Sequence, residues 1–179
     1  MIEMQPIRDL LFVASEITKQ KEGIIVAANT LSERKSAGIF TTIAQSVGIR
    51  LNTVFVENFE NFKQSFKLAQ NYPFVIFINY AGIEGWKKNH AKDFIHKNTR
   101  TLTVSTNDFM VDYVGLVISH VASEQGEFAA KEAIKILRSK STWRPTIVWN
   151  HKSKNLINEH LLGVYQSRLP GQFKFRSAE

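Results

Sequence analysis

Three short clusters of polar residues stand where predicted strands end: Asn29-Thr30, Asn79-Tyr80 and the run from Ser105 to Asp108. Amide, hydroxyl and carboxylate groups on small side chains suit the non-covalent recognition of a small polar solute. Asp108 is able to hold a ligand ammonium group, and a helix that starts after Thr30 offers free backbone amides to an anionic group. The same residue types also cap helices and form turns. The clusters alone therefore leave both interpretations open.

The sequence lacks the patterns that covalent, metal or nucleotide chemistry requires. No phosphate-binding loop and no Gly-x-Gly-x-x-Gly follows the first predicted strand. Ser32-Glu33-Arg34-Lys35 fits the Ser-x-x-Lys of serine acylases, but the companion Lys-Thr-Gly is missing. With no cysteine and no His-Glu-x-x-His, we expect neither a metal site nor a cofactor. Glu57 and Asp108 both follow strands but do not form a catalytic pair by pattern, so we expect no enzymatic activity.

Short apolar runs alternate with amphipathic segments along the whole chain. Continuous apolar runs such as 24–28 and 74–78 indicate strands covered on both faces, and the segments between them have helical spacing. This order predicts an α/β fold, a three-layer Rossmann-like lobe with a mainly parallel sheet. Predicted strands are 24–28, 51–56, 74–78, 101–105, 115–118 and 145–149, and predicted helices begin near residues 7, 31, 59, 86, 124 and 158, the last ending at 166.

Two local patterns refine this assignment. Thr30 and Glu33 have the spacing of a capping box, in which each side chain binds the backbone amide of the other. Phe59, Phe62 and Phe66 recur at helical spacing, which predicts a core-facing stripe rather than an aromatic ligand cage.

The composition is that of an ordinary globular protein. The chain has 179 residues, of which 44% are hydrophobic and 22% charged, with a formal net charge of +7. The basic residues are scattered among acidic ones, and no nucleic-acid-binding motif is present, so we expect no nucleic acid partner.

The second half of the chain resembles a known family. The helix motif Glu-x-Gly-x-x-Ala-Ala, here residues 124–130, follows the turn at Asp108-Phe109-Met110 and precedes the Pro-x-x-Val of residues 145–148. This order is similar to that of the substrate-binding proteins of ABC transporters, including tryptophan and tyrosine uptake proteins. The strand that ends in Asn29-Thr30 and the helix after it look similar too.

The resemblance implies a periplasmic-binding-protein-like fold and a function in uptake. In this family two Rossmann-like lobes close on a solute, which is delivered to an ABC permease without catalysis. It implies a small amino-acid-like or polar ligand and a periplasmic location. The ligand-binding residues implied by position are Asn29, Thr30, Ser32, Asn79, Tyr80 and Asp108.

Family members are about twice as long as this chain. We therefore expect residues 1–169 to form one ligand-binding lobe, similar to the C-terminal lobe, with the first lobe missing and residues 170–179 as a flexible tail. A single lobe supplies half a cleft, so a fragment, a shortened relative or a homodimer that exchanges elements are the alternatives.

The first residues lack the basic and apolar regions of a signal peptide, so we expect that any leader lies outside the chain. Two other functions stay open at this point. An extracytoplasmic sensor domain of a signalling protein would use the same fold to report a ligand. A small α/β enzyme is the remaining alternative.

Overall fold

The central feature of the fold is a mostly parallel sheet. The computed structural model describes residues 6–138, 152–171 and 174–177. These residues form seven strands in the order β2-β1-β3-β4-β5-β6-β7. The first five strands are parallel, β6 runs antiparallel to β5, and β7 is parallel to β6. The strands are β1 Glu22–Ala28, β2 Arg50–Val56, β3 Phe74–Phe77, β4 Leu102–Ser105, β5 Leu116–His120, β6 Ser153–Ile157 and β7 Arg176–Ser177.

Helices cover both faces of this sheet, which confirms the predicted α/β architecture. The helices are α1 Ile7–Thr18, α2 Leu31–Ser46, α3 Phe59–Ala69, α4 Lys88–Asn98, α5 Ala122–Arg138 and α6 Glu159–Leu162. On one face α1 and α2 pack against alternate residues of the strands, including Ile25 and Ile76. On the other face α3 and α4 pack against the intervening residues, including Val26 and Phe77. Successive side chains of a strand point to opposite faces, so one buried strand serves two cores.

Most of the predicted elements are present with small shifts at their ends. The aromatic stripe of α3 is core, because Phe62 and Phe66 are fully buried and Phe59 is half-buried against the same cluster. The predicted helix 158–166 is wrong in its second half: the α-helix ends at Leu162, and a 3-10 helix, Gly163–Arg168, follows. Gly163 has a positive φ of 52°, which interrupts regular α-helical geometry there. The predicted strand 145–149 lies outside the described residues.

The strand β6 was not predicted from sequence. It begins with Ser153-Lys154-Asn155, whose polar side chains give no apolar run, and it is held by antiparallel pairing with β5. Beyond it, Arg176 and Ser177 pair with Leu156 and Ile157, and Phe175 packs against the core. The division into a lobe of residues 1–169 and a flexible tail stays a prediction.

The helix α5 follows β5 and carries the motif on which the resemblance rests. Glu124 in its first turn is buried, and its carboxylate accepts a hydrogen bond from the backbone N–H of Lys152 at 2.9 Å. Towards the other end, Ile134, Ile136 and Leu137 are exposed, Leu137 to 86%. Within the described part of the chain, no helix is long and apolar enough to cross a membrane.

Candidate functional site

The strand order defines a topological switch point at one edge of the sheet. The chain leaves β1 towards β2 on one side and returns to β3 on the other, so the connections after β1 and β3 diverge. In open parallel sheets, ligands bind beyond the carboxyl ends of the strands at such a switch point. All six predicted binding residues follow β1, β3 or β4, and therefore lie at this edge, which we call the carboxyl edge.

The residues after β1 are fixed by hydrogen bonds to their neighbours. The Asn29 side-chain amide donates to Glu57 Oε1 at 3.0 Å, and its carbonyl accepts from Arg34 Nε at 2.8 Å. Thr30 caps α2, because its hydroxyl oxygen accepts from the Glu33 backbone N–H at 3.2 Å. Ser32 is exposed in the first turn of the same helix. These residues thus present a preordered polar surface.

The predicted capping box is only half formed. Thr30 provides its side of the box, but the Thr30 backbone N–H donates to the carbonyl of Ala28 at 2.8 Å and not to the Glu33 carboxylate. The prediction that Glu33 completes the cap is therefore wrong. The tight turn from Ala28 into the helix already satisfies that donor.

The loop after β3 lies directly against the end of β1. Asn79 starts it with a side-chain carbonyl that accepts from the Ala81 N–H at 2.9 Å. Gly82 has a φ of 89°, and a Cβ built on it would stand 2.5 Å from Cγ2 of Thr30. The Glu84 N–H then donates to the carbonyl of Glu57 beyond β2 at 2.8 Å. One loop therefore joins the ends of three strands.

An aromatic cluster packs against this loop through Tyr80. The Tyr80 ring stacks on Trp86 with centroids 5.3 Å apart and an interplanar angle of 4°. Tyr113 meets both rings edge-on, and Phe109, 49% exposed, meets Tyr80 at 5.9 Å. Burial raises the pKa of Tyr113, so its phenol stays neutral. The indole N–H of Trp86 is buried near that hydroxyl without a well-aligned hydrogen bond among the described residues.

Asp108 lies on the same edge but further along it. It opens a 3-10 helix, Asp108–Met110, after β4, and its carboxylate is 3.4 Å from Lys154 Nζ on β6. Both side chains are about half exposed, so this ion pair is weak and exchangeable. Asn107 connects the two strand ends, because its amide donates to the carbonyl of Ile78 at 2.8 Å.

The sequence indicated that the six polar residues share an edge, but it did not indicate which aromatic and acidic residues lie beside them. The loops after β3 and β4 contain Trp86, Phe109 and Tyr113. An aromatic residue within a predicted turn was the sequence signal that could have identified them. Glu33 was assigned to a helix cap. Two surface grooves of about 200 and 430 Å³ lie away from the carboxyl edge, lined by α4 with α6 and by α1 respectively. A third groove, of about 450 Å³, lies where β5 ends and β6 begins, and its lining includes Lys154, the partner of Asp108.

A histidine pair lies at the opposite edge of the sheet. His96 on α4 and His160 on α6 stack with ring centroids 4.7 Å apart, and His96 Nε2 is 3.1 Å from the Asp112 carbonyl oxygen. Burial, followed by the nearby His160, lowers the pKa of His96 below its usual 6.5, although the Asp112 carbonyl opposes this.

We expect His96 to make the fold sensitive to mild acid. As the pH falls below 6.5, the unfolded chain takes up a proton before the folded one does, so stability is lost towards the lower folded-state pKa. His96→Asn should flatten the fall in unfolding free energy between pH 7 and about pH 5, measured by urea denaturation. His90→Asn, at an exposed position of the same helix, is the control. Equal slopes for wild type and His96→Asn would contradict this assignment.

Comparison with known structures identifies the fold. A ligand-free, open substrate-binding protein with adhesive properties from Clostridium difficile aligns with a TM-score of 0.74 and 11% identity, over 96% of this chain and 59% of that one. An ABC domain in complex with L-Trp from Streptococcus pneumoniae aligns with a TM-score of 0.59 and 11% identity, over 89% and 56%. A conserved domain protein from Vibrio cholerae aligns with a TM-score of 0.60 and 14% identity, over 95% and 58%.

The chain therefore has a periplasmic-binding-protein-like α/β fold, as the sequence predicted. It spans less than three fifths of the length of each of these structures. No family model matches the sequence, and no curated protein matches it. At these identities the likeness concerns the fold.

Proposed function

We propose that this chain is a solute-binding lobe of an ABC-type importer, which binds a small amino-acid-like or polar ligand at the carboxyl edge. The observation that carries the proposal is the contact between the ends of β1 and β3 at the switch point, where the Asn79–Tyr80 loop lies on Thr30. Two of the similar structures are named as a substrate-binding protein and as an ABC domain with bound L-Trp, which supports the same use of this fold here.

The binding surface combines polar groups with an aromatic wall. Asn29, Thr30, Ser32 and Asn79 supply donors and acceptors, and Asp108 stands at the rim. Tyr80 is stacked on Trp86 on one face and meets Phe109 at its edge, so these rings offer an apolar partner for a ligand side chain. Small-molecule sites generally have this composition, a few oriented polar groups within an apolar lining.

A single lobe provides one wall of a cleft, so we propose that a second lobe completes the site. The exposed apolar side chains near the end of α5, including Leu137, support a contact of this kind. The second lobe belongs to a longer chain or to a second copy that exchanges elements. Delivery to a permease in the periplasm is part of this proposal. Catalysis is not part of the proposal.

A thermal-shift screen against amino acids, small anions and nucleosides tests the proposal. A ligand that binds only the folded state raises the melting temperature, and at 100 times its Kd it contributes about 2.7 kcal/mol. We expect a shift with one class of solute. Tyr80→Ala should weaken that binding by roughly tenfold or more, because it removes the ring wall.

Tyr72→Ala is the matched control for Tyr80→Ala. Tyr72 is also a half-buried tyrosine packed on the same core, but it precedes β3 and lies at the other edge. Equal loss of binding in the two variants would mean that the effect is general destabilisation. Absence of a shift with every class at millimolar concentration would refute binding by this chain alone.

A further inference from the structure

The side chain of Glu33 is buried at the carboxyl edge without a partner for its charge. Only 7% of the residue is exposed, and its Oε2 atom contacts neither solvent nor any hydrogen-bond donor in the described structure. The residue lies on the core-facing stripe of α2, in line with Ala37 and Phe40. A glutamate at such a position needs an explanation, since buried carboxylates are almost always paired.

The local structure does not supply that explanation. The N-cap uses the Glu33 backbone N–H and the Thr30 hydroxyl, while the carboxylate is left out. Burial raises the pKa of Glu33, and no neighbouring cation counteracts this effect. The Arg34 side chain next to it is directed elsewhere, to Asn29 and to the face of the Phe55 ring. The carboxylate therefore lowers the stability of the folded chain at neutral pH.

The tilt of side chains in a helix brings the Glu33 carboxylate towards the N-terminal end of α2. Side chains of an α-helix tilt towards the helix N-terminus. For the third residue of α2 this direction leads back to Thr30 and the end of β1. The other acidic candidate, Asp108, is already paired with Lys154. Of these two carboxylates, Glu33 is the one without an ion pair among the described residues.

We propose that Glu33 binds the positively charged nitrogen of the solute and thereby selects ligands that carry an ammonium group. The inference rests on the proposed function and assigns a ligand class and a binding residue to that site. A ligand cation supplies the counter-charge that the free protein lacks. The unpaired carboxylate destabilises the folded protein while the site is empty, and binding of an ammonium ligand offsets this destabilisation.

The first test measures stability without any ligand. A glutamate with a raised folded-state pKa destabilises the fold once the pH exceeds its unfolded value of 4.5. Glu33→Gln should therefore raise the melting temperature at pH 7.5 by on the order of 2–4 °C. At pH 4 it should leave the melting temperature unchanged. The control is Glu60→Gln, an exposed glutamate in the first turn of α3. A lower melting temperature for Glu33→Gln at pH 7.5 would show a structural use of the carboxylate and overturn the inference.

The second test measures binding with matched probes. Each amino acid that shifts the wild-type melting temperature is compared with its desamino analogue by calorimetry. Glu33→Gln should weaken binding of the amino acid at least tenfold and leave the desamino analogue within about twofold. Equal affinity of Glu33→Gln and wild type for the amino acid would overturn the role of Glu33 while the proposed function stands.

Two further outcomes are distinguishable. If Asp108→Asn and not Glu33→Gln removes the preference for the ammonium group, then Asp108 binds it and the inference fails. If no amino acid binds the wild type but another solute does, the ligand class is wrong and the binding function survives. If nothing binds, the proposed function fails as well.

Discussion

Replacing Phe62 with alanine is expected to lower the free energy of unfolding by about 3–5 kcal/mol. Phe62 is fully buried and lies at the centre of the aromatic cluster on the α3 face of the sheet. Its ring centroid is 5.0 Å from those of Phe77 and Trp86 and 5.3 Å from that of Phe66. Interiors are close-packed, so the cavity left by the ring would be filled only in part.

The same substitution should weaken solute binding. Trp86 packs edge-on against Phe62 and stacks on Tyr80. A cavity at Phe62 would therefore loosen the packing that holds the Tyr80 ring in place. Urea denaturation measures the stability, and calorimetry at a temperature where the variant is folded measures the affinity. Leu68→Ala, at an exposed position of α3, should change stability by less than about 0.5 kcal/mol. A loss below about 1 kcal/mol in Phe62→Ala would contradict this account of the core.

The fold was predictable because its central strands are buried on both faces. The runs in β1, β3 and β4 consist of apolar or small residues, which few other structures accommodate. The strand β6 escaped prediction for the opposite reason. Its first three residues are polar, and its place in the sheet depends on pairing with β5, from Leu116↔Ile157 to His120↔Ser153. Sequence patterns carry little information about such long-range pairing.

The shared edge of the candidate residues was predictable, but their contacts were not. Carboxyl ends of neighbouring parallel strands share one edge, so residues after β1, β3 and β4 had to lie close together. The partners of those residues come from distant parts of the chain. Asn29 bonds Glu57, and Asp108 pairs with Lys154, which is 46 residues away. The spacing of Thr30 and Glu33 likewise predicts a cap that includes the Glu33 carboxylate. The sequence does not show that the Thr30 N–H is already hydrogen-bonded to the carbonyl of Ala28.

Gly82→Ala is expected to lower the free energy of unfolding by about 2–4 kcal/mol, from two separate causes. The φ of 89° is unfavourable for any residue with a side chain, and the new Cβ would stand 2.5 Å from Cγ2 of Thr30. The control, Gly85→Ala, shares the first cause alone. It has a φ of 73°, but the nearest atom to its new Cβ would be the Cβ of Phe59, 4.0 Å away, so we expect a loss of about 1–2 kcal/mol.

A second substitution separates the steric part of the Gly82→Ala effect. Thr30→Ser removes Cγ2 and keeps the hydroxyl that caps α2, and the next nearest atom, the Cβ of Ala28, is at an ordinary contact distance of 3.5 Å. The double variant should therefore recover about 1–2 kcal/mol relative to the sum of the two single variants, as a double-mutant cycle measures it. Strict additivity would mean that the loop does not rest on Thr30. A positive coupling would support one preformed surface across the ends of β1 and β3, which is the surface on which the proposed solute binding depends.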